Sequence, residues 1–471
     1  MNVLSATVSQ LLELIYNIIF FEVAEIPLIV VWFIGGGFTF TLWMKFVNLR
    51  GFKHAIAVVL GRYDDPEEEG EVSHFQALAT ALSATVGLGN IAGVSIAIGL
   101  GGPGAVVWMT LAGFLGMSSK FVECTLGQKY RQVKPDGTIA GGPMYYLSAG
   151  LEELGRKNLG RVLAGMFAIL AIASALGSSS IFQANQSKVA VARVLPILAD
   201  RGWIYGLILV FLVGLVIIGG IRRIAQVTAI LVPVMCGIYV LAAVWIIGAN
   251  WAAIPDAIAT IFKGAFVPQA AAGGVLGALI QGFRRAAFSN EAGLGIAAIA
   301  HSAARTEEPV REGLVATLEP FIDTVIICNM TALVVIITGA YNNPEWADLG
   351  GAELTSVAFG SVLGWFPTVL AIALFCFAFS TAIAWGYYGE LCWQYLLGER
   401  TAIIYKLLFL TAIFLGTIVN PQTVIQFSDA MYLTMSIPNL LGLYFLAPGV
   451  ASDLRDYWER LRLGKFKVRS G

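Results

Sequence analysis

The sequence predicts an all-α integral membrane protein with about eleven spans. Three observations predict it. The 471-residue chain is 58% hydrophobic and only 13% charged, about half the charged share of a soluble domain. Its mean hydropathy is +0.78. Its apolar runs recur at the length of about 20 helical residues that a hydrocarbon core requires. A net charge of −1 argues against nucleic acid as a partner. The five cysteines, Cys124, Cys236, Cys328, Cys376 and Cys392, lie in apolar stretches without CxxC or zinc spacing, and packing is their expected role. No pair among His54, His74 and His301 has metal-ligand spacing, so a metalloenzyme is not expected. No Lys or Arg precedes Lys45, which does not fit a signal peptide.

The elements follow in order. Residues 1–22 read as an interfacial helix. An extra N-terminal span occupies 24–46, its apolar part running from Ile26 to Phe46. A solvated polar stretch with the acidic run Asp64-Asp65-Pro66-Glu67-Glu68-Glu69 leads to span two, His74 to Gly101. Gly87-Leu88-Gly89-Asn90 sits near its middle. Glycine disfavours a helix interior by roughly 1 kcal/mol relative to alanine, so the stretch reads as a broken membrane helix. The alternative is a glycine packing seam between unbroken helices. Span three runs from Ala105 to Leu126, and a polar loop from Lys129 to Gly160. Span four covers Val162 to Ala190. Spans five (Trp203–Gly220) and six (Ile224–Ile247) are divided at Arg222-Arg223. An outer connection, 248–269, precedes Ala270 to Ala304, which is interrupted by Arg284-Arg285 and by Phe288 to Gly295. It reads either as a short span ending at Arg284 or, preferably, as a second broken helix with its break near Ser289. Spans at Leu314–Thr338, Leu363–Tyr388, Ile403–Val419 and Phe427–Leu446 complete one polytopic domain, 1–471, with a basic tail at 448–471 expected to meet anionic lipid headgroups.

Alternating these spans sorts the charge. Of the 29 Lys and Arg, Lys188, Arg193, Arg201 and Lys263 fall on one side and Arg284 and Arg285 are unassigned, which leaves 23 on the other. The positive-inside rule then predicts a cell-membrane protein with its N-terminus outside and its C-terminus in the cytoplasm. After the extra span come two sets of five, 73–247 and 270–447, each beginning with a broken helix. Five-plus-five spans with a break in core helices one and six are the pattern of inverted-repeat transporters. Half-helix N-termini suit a carboxylate, and unwound carbonyls suit an ammonium group or Na⁺. A membrane-embedded enzyme would place convergent nucleophiles or metal ligands in the spans, and the sequence shows none. A channel remains a rival.

Gly101-Gly102-Pro103-Gly104-Ala105, Gly141-Gly142-Pro143-Met144-Tyr145-Tyr146, Phe288-Ser289-Asn290-Glu291-Ala292-Gly293-Leu294-Gly295 and Gly89-Asn90-Ile91-Ala92-Gly93-Val94 resemble the signature segments of the alanine or glycine:cation symporter family. The resemblance covers nearly the whole chain. It implies the fold of the bacterial leucine transporter and Na⁺-coupled uptake of a small neutral amino acid, with Na⁺ as co-transported ion and no organic cofactor. Val86 to Asn90 also resembles the first core helix of the neurotransmitter:sodium symporters. Two departures stand out: Leu88 replaces a usual small hydroxyl residue, leaving size preference open, and Val107 and Thr110 replace aromatics.

The resemblance implies roles residue by residue. Thr85, Gly87, Gly89 and Asn90 meet the substrate carboxylate or an ion. Phe288 and Ser289 offer carbonyls to the amino group. Gln183, Thr381 and Trp385 contact or wall the substrate. The carbonyls of Val86 and Phe377 and the hydroxyls of Ser380 and Thr381 hold Na⁺. Read as residues alone, Gln183 bridges helices, Trp385 is core, and Ser380 and Thr381 bond their own preceding turn. Glu291 at mid-membrane is disfavoured by at least roughly 2.5 kcal/mol. It either pairs with Arg284 or Arg285 or titrates, so proton coupling through Glu291 is the alternative mechanism. Asp323 and Asn329 read as structural.

Overall fold

A computed structural model describes residues 21–23, 26–267, 274–346, 349–419 and 432–468. The expected interfacial helix up to residue 20, the end of the outer connection at 268–269 and the start of the last span at 427–431 lie outside the described residues.

In chain order the helices are α1 (Leu28–Trp43), α2 (Phe52–Val59), α3 (His74–Thr85), α4 (Gly89–Gly101), α5 (Ala105–Lys129), α6 (Pro143–Glu153) and α7 (Lys157–Val194). Then come α8 (Gly202–Ile217), α9 (Gly220–Ala249), α10 (Ile254–Phe266), α11 (Gly274–Asn290), α12 (Ala297–Ser302) and α13 (Pro309–Ile337). The last four are α14 (Gly351–Gly360), α15 (Phe366–Leu397), α16 (Ala402–Gly416) and α17 (Tyr432–Arg462). Among the described residues six helices are long and apolar enough to cross a membrane, and seven if the bent pair α3–α4 is one span. Eleven would also need α1, α8, α11 and α16, each of 15 to 17 residues, shorter than the about 20 of a straight span.

Three differences from expectation have local causes. Arg222 and Arg223 do not divide two spans: the chain turns at Ile218–Gly219, and the arginines stand in the first turn of α9. Arg284 and Arg285 do not interrupt α11, which winds through them to Asn290. The polar loop after α5 contains an antiparallel hairpin, Gln132–Val133 with Ile139–Ala140, and α6, opened by Pro143 at its first position, where a missing N–H does no harm.

One end of the bundle gathers the loops rich in Lys and Arg. Lys129 pairs with Asp453 at 2.6 Å, Lys134 with Glu399 at 2.5 Å, Arg222 with Glu71 at 3.3 Å and Arg460 with Glu308 at 2.5 Å. In the basic tail, α17 runs on to Arg462, and Arg460 and Lys467 pair with Glu308 and Asp65. This end is also tied through the backbone. Val72 pairs with Ala304. The Arg131 guanidinium donates to the carbonyls of Glu69, Ser302, Ala304 and Thr306 at 2.6–3.0 Å, and the Gln128 amide donates to those of Ala304 and Thr306.

Candidate functional site

The site is built from two places where helices stop. α3 starts on a capping box, in which Ser73 and Gln76 exchange hydrogen bonds. It ends at Thr85. Val86 is extended (φ −72°, ψ 102°), and α4 resumes at Gly89 with the two segments bent by 51°. Asn90 replaces the missing winding. Its Oδ1 accepts from the Gly87 N–H at 2.8 Å, satisfying a donor that the break orphans. The glycines admit neighbours. A Cβ on Gly87 would stand 3.1 Å from Thr381 Oγ1, and one on Gly89 would stand 3.2 Å from Ser289 Cα. The Gln183 amide lies next, 3.8 Å from that Gly87 position, and its buried Oε1 has no hydrogen-bond partner among the described residues. Thr85 turns its hydroxyl back to the Ala81 carbonyl, so only its backbone faces the break.

The second interruption lies a few residues later than the sequence suggests. α11 continues through Phe288 and Ser289 to Asn290. The chain then takes positive φ at Glu291 (58°), Gly293 (91°) and Gly295 (84°) before α12 begins at Ala297. Asn290 Oδ1 accepts from the Ala292 N–H at 3.0 Å, the local turn that asparagine favours. Asn439 Nδ2 donates to the Gly293 carbonyl at 2.8 Å and to Glu123 at 2.9 Å. Phe288 and Ser289 thus stand in the last turn of a helix, among the carbonyls that have no intrahelical donor.

The two interruptions meet at Asp323, in a π-wound stretch of α13 (Phe321–Cys328). Asn90 Nδ2 donates to Asp323 Oδ1 at 2.5 Å and to Ser289 Oγ at 3.0 Å. The hydroxyls of Ser289 and Thr324 both donate to Asp323 Oδ2 at 2.7 Å. Asn290 Nδ2 donates to Thr324 at 2.9 Å. Asp323 and Asn90 are fully buried. Among the described residues its hydrogen-bond partners are neutral donors, so an ionised Asp323 leaves a net charge for a cation or proton to balance. The sequence reading put Asp323 down as structural. The signal available was a lone acid inside an apolar span.

The expected Na⁺ residues line the seam between α3 and α15. Thr381 Oγ1 donates to the Ser83 carbonyl at 2.9 Å, and Ser83 Oγ donates to the Ser380 carbonyl at 3.0 Å. Ser380 Oγ donates to the Phe377 carbonyl, one turn back. Ser83 joins this seam unforeseen. Glu291 is not held by the neighbouring arginines. Among the described residues its Oε1 accepts from Trp385 Nε1 at 3.1 Å and from the Tyr432 hydroxyl, and its Oε2 is buried without a partner. Trp385 therefore donates to and orients a buried acid. With it runs an aromatic row: Trp385 to Tyr432 (5.4 Å between centroids), Tyr432 to Phe288 (4.8 Å) and Phe288 to Phe182 (5.4 Å). Tyr432 and Phe182 gave no separate signal in the sequence.

Known proteins share this chain's sequence and fold. The model of the sodium:alanine symporter family matches residues 6–470. "Sodium/alanine symporter AgcS" of Methanococcus maripaludis is 39% identical over 92% of this chain and 94% of its own length. "Probable sodium/glutamine symporter GlnT" of Bacillus subtilis is 35% identical over 94% and 90%. "Putative sodium/proton-dependent alanine carrier protein YrbD" of the same organism is 37% identical over 92% and 90%. The crystal structure of MhsT in complex with L-phenylalanine superposes with a TM-score of 0.53 at 14% identity, covering 82% of this chain and 98% of that one; it shows a shared fold alone. The family and these relatives are transporters, not enzymes.

Proposed function

The chain belongs to the sodium:alanine symporter family, and from that premise we propose that it couples Na⁺ entry to the uptake of a small neutral amino acid of the alanine or glycine class. Its core is two inverted five-helix repeats, 73–247 and 270–447, with α3–α4 and α11–α12 as their broken first helices. The Lys- and Arg-rich end faces the cytoplasm and the N-terminus lies outside. The observation that carries this reading is the convergence of both interruptions on Asn90, Ser289 and Asp323.

In this reading the N–H of Gly87, released from Asn90 Oδ1, and that of Gly89, at the start of α4, receive the substrate carboxylate with the Asn90 amide. The terminal carbonyls of α11 at Phe288 and Ser289 receive the ammonium. Gln183, Thr381 and Trp385 close the sides, and the backbone of Thr85 contributes to the break. Na⁺ binds in the α3–α15 seam among the Val86 and Phe377 carbonyls and the Ser380 and Thr381 hydroxyls, which swing from their present partners to the ion. Asp323 supplies the buried charge that draws a cation to the breaks. Na⁺ favours the outward-open state and substrate permits closure. Each ligand acts by binding the two states unequally, since equal binding shifts nothing.

Uptake of a radiolabelled amino-acid panel into proteoliposomes, with and without a Na⁺ gradient, tests this. Flux that saturates and follows the gradient is expected; flux that neither saturates nor needs Na⁺ is a channel's. Asn90→Ala removes the bonds that join the breaks and leaves a buried carboxylate short of a donor, a loss of about 1–3 kcal/mol. Uptake at equal expression is then expected to fall about ten- to a hundredfold, and an unchanged rate overturns the assignment. The second reading, proton coupling through Glu291, has one observation in its favour: the unpartnered Glu291 Oε2. Uptake driven by a pH gradient without Na⁺ would favour it.

A further inference from the structure

A second set of buried ionisable groups lies away from the breaks, at the Lys- and Arg-rich end. Glu312, in α13, bridges two imidazoles. One oxygen accepts from His74 Nδ1, and the other from His301 Nδ1 at 2.5 Å. With the carboxylate ionised, both Nδ1 atoms are donors. Each outer nitrogen then faces another carboxylate: His74 Nε2 lies 4.0 Å from Asp64 Oδ1, and His301 Nε2 lies 4.0 Å from Glu319 Oε2. Glu319 in turn pairs with Lys120 at 2.9 Å. His74, Glu312, His301, Glu319 and Lys120 are at most 1% exposed. Neither outer nitrogen, nor Glu319 Oε2, has a hydrogen-bond partner among the described residues. Asp64 is about one-third exposed. It lines a cavity of about 700 Å³ together with Glu67, Glu68, Glu307 and Glu308, so solvent protons reach the outer end of the row.

At 4.0 Å an imidazole lone pair opposite a carboxylate oxygen makes no hydrogen bond. A proton added at either Nε2 turns that pair into donor and acceptor and leaves an imidazolium between two carboxylates. The surrounding charge asks for it. Asp64 and Glu68 face His74 from the loop after α2, and Glu319 faces His301. Lys120 and Cys124 approach Glu312 and Glu319 from α5, Arg131 approaches Glu312 from the loop after it, and Arg311 approaches Glu68 from α13. From α2 and α17, His54 and Tyr457 bond each other at 2.6 Å beside Arg311. Glu123 and Glu291 also face Lys120 and Glu319, and Glu69 and Glu307 face Arg131, so with neutral imidazoles the surrounding carboxylates outnumber the cations and favour an added proton.

We propose that His74, Glu312 and His301 form a proton-binding site, loaded from the cytosol through Asp64, whose occupancy holds this end of the transporter closed. His74 stands in the first turn of α3 and His301 on α12, so the site ties together the outermost parts of both interrupted helices, beside the Val72–Ala304 pairing. A protonated site strengthens both ties. Opening toward the cytosol releases the proton, so an acid cytosol slows the cycle and an alkaline one speeds it. The cytosolic location rests on the orientation proposed above; the proton site itself does not.

Two measurements test this. The chain has only three histidines, so ¹⁵N-histidine-labelled protein in nanodiscs resolves each imidazole by NMR. His54, which burial and then Arg311 and Arg62 push down to about 4, serves as the neutral reference. One imidazolium shared by His74 and His301 is expected to appear between pH 8.5 and pH 5.5, and Glu312→Gln is expected to abolish it. Two imidazoles of constant state across that range overturn the proposal, whether or not transport is seen. In proteoliposomes under a fixed Na⁺ gradient, the initial uptake rate is expected to rise with lumenal pH from 6 to 8, toward the limit of about tenfold per unit for one linked proton. Glu312→Gln should flatten that slope. The surface variant Asp64→Asn, which spares the buried bonds, should weaken it with Na⁺ dependence intact. A wild-type slope in both variants overturns the proposal. Absent flux under every gradient overturns the transport reading instead and leaves the NMR result standing.

Discussion

The two interruptions solve one problem by opposite means. In α3–α4 the chain makes room by omission: Gly87 and Gly89 present bare backbone to Thr381 and to Ser289, and a neutral amide, Asn90, stands in for the lost winding. In α11–α12 the chain makes room by strain. Three residues of five take positive φ, one of them a glutamate, and neutral side chains from elsewhere, Trp385, Tyr432 and Asn439, help to hold the result. The first is fitted to a partner passing close by. The second is fixed by its own backbone and carries the charge. Binding selectivity should therefore be most fragile at the first, and conformational equilibrium at the second.

The largest expected effect tests what the two share. Asp323→Asn removes the carboxylate that joins them. Three hydrogen bonds to the carboxylate, from Asn90, Ser289 and Thr324, are weakened at once, and a hydrogen bond to a charged group is worth about 1.5–3 kcal/mol, so Na⁺-dependent uptake is expected to fall by at least about a hundredfold, measured against an equal amount of reconstituted protein. Wild-type Na⁺ dependence in this variant would make Asp323 structural. Next, Gly89→Ala drives a methyl against the Ser289 backbone, which has no rotamer to yield. Overpacking of this kind is worth about 1–3 kcal/mol, and because it falls on the proposed binding backbone, uptake per folded molecule is expected to drop about tenfold or more. Gly295→Ala should show the converse. Its φ of 84° and the Asn439 Oδ1 atom 2.7 Å from the new Cβ make it a stability lesion of at least about 1–2 kcal/mol, read as a lower melting temperature. If both alanines behave alike, the contrast between the two interruptions fails. Smaller again is Trp385→Phe, which keeps the ring and deletes the donor to Glu291. A hydrogen bond to a charged group is worth about 1.5–3 kcal/mol, so the half-saturating substrate concentration should rise about tenfold.

The smallest effect belongs to the docked tail. His54 holds Tyr457 and is pushed down from 6.5 to about 4, chiefly by burial. The undocked histidine therefore binds the proton more readily, and docking loses stability as pH falls from about 6.5 toward 4. Hydrogen exchange across residues 453–468 should quicken in that window, and Lys467 and Arg460 should lose nothing above it.

The long apolar helices were legible because apolar length is a local property, whereas the count of eleven rests on four helices shorter than a straight span. The first interruption was legible too, since Gly87, Gly89 and Asn90 each act on backbone within three residues. The second was placed near Ser289, yet α11 winds on to Asn290. What ends it is the positive φ of Glu291, Gly293 and Gly295, and a sequence does not say which glycine in a run adopts it. Trp385 and Glu291 were both singled out, but not as a pair, because 94 residues separate them. The same holds for His74 and Glu312, 238 residues apart: histidines without metal spacing carry no local signal of the carboxylate they share. Asp323 stood in plain view as an acid in an apolar span, and only folding reveals that Asn90 and Ser289 converge on it.

The Arg131 guanidinium closes its end of the bundle by gripping peptide carbonyls, whereas α17 is fastened there by carboxylates at Glu308 and Asp65. Salt weakens exposed charge pairs, while short bonds to buried dipoles are largely spared. In brine α17 should therefore be fastened less firmly while the Arg131 clasp beneath it keeps its grip.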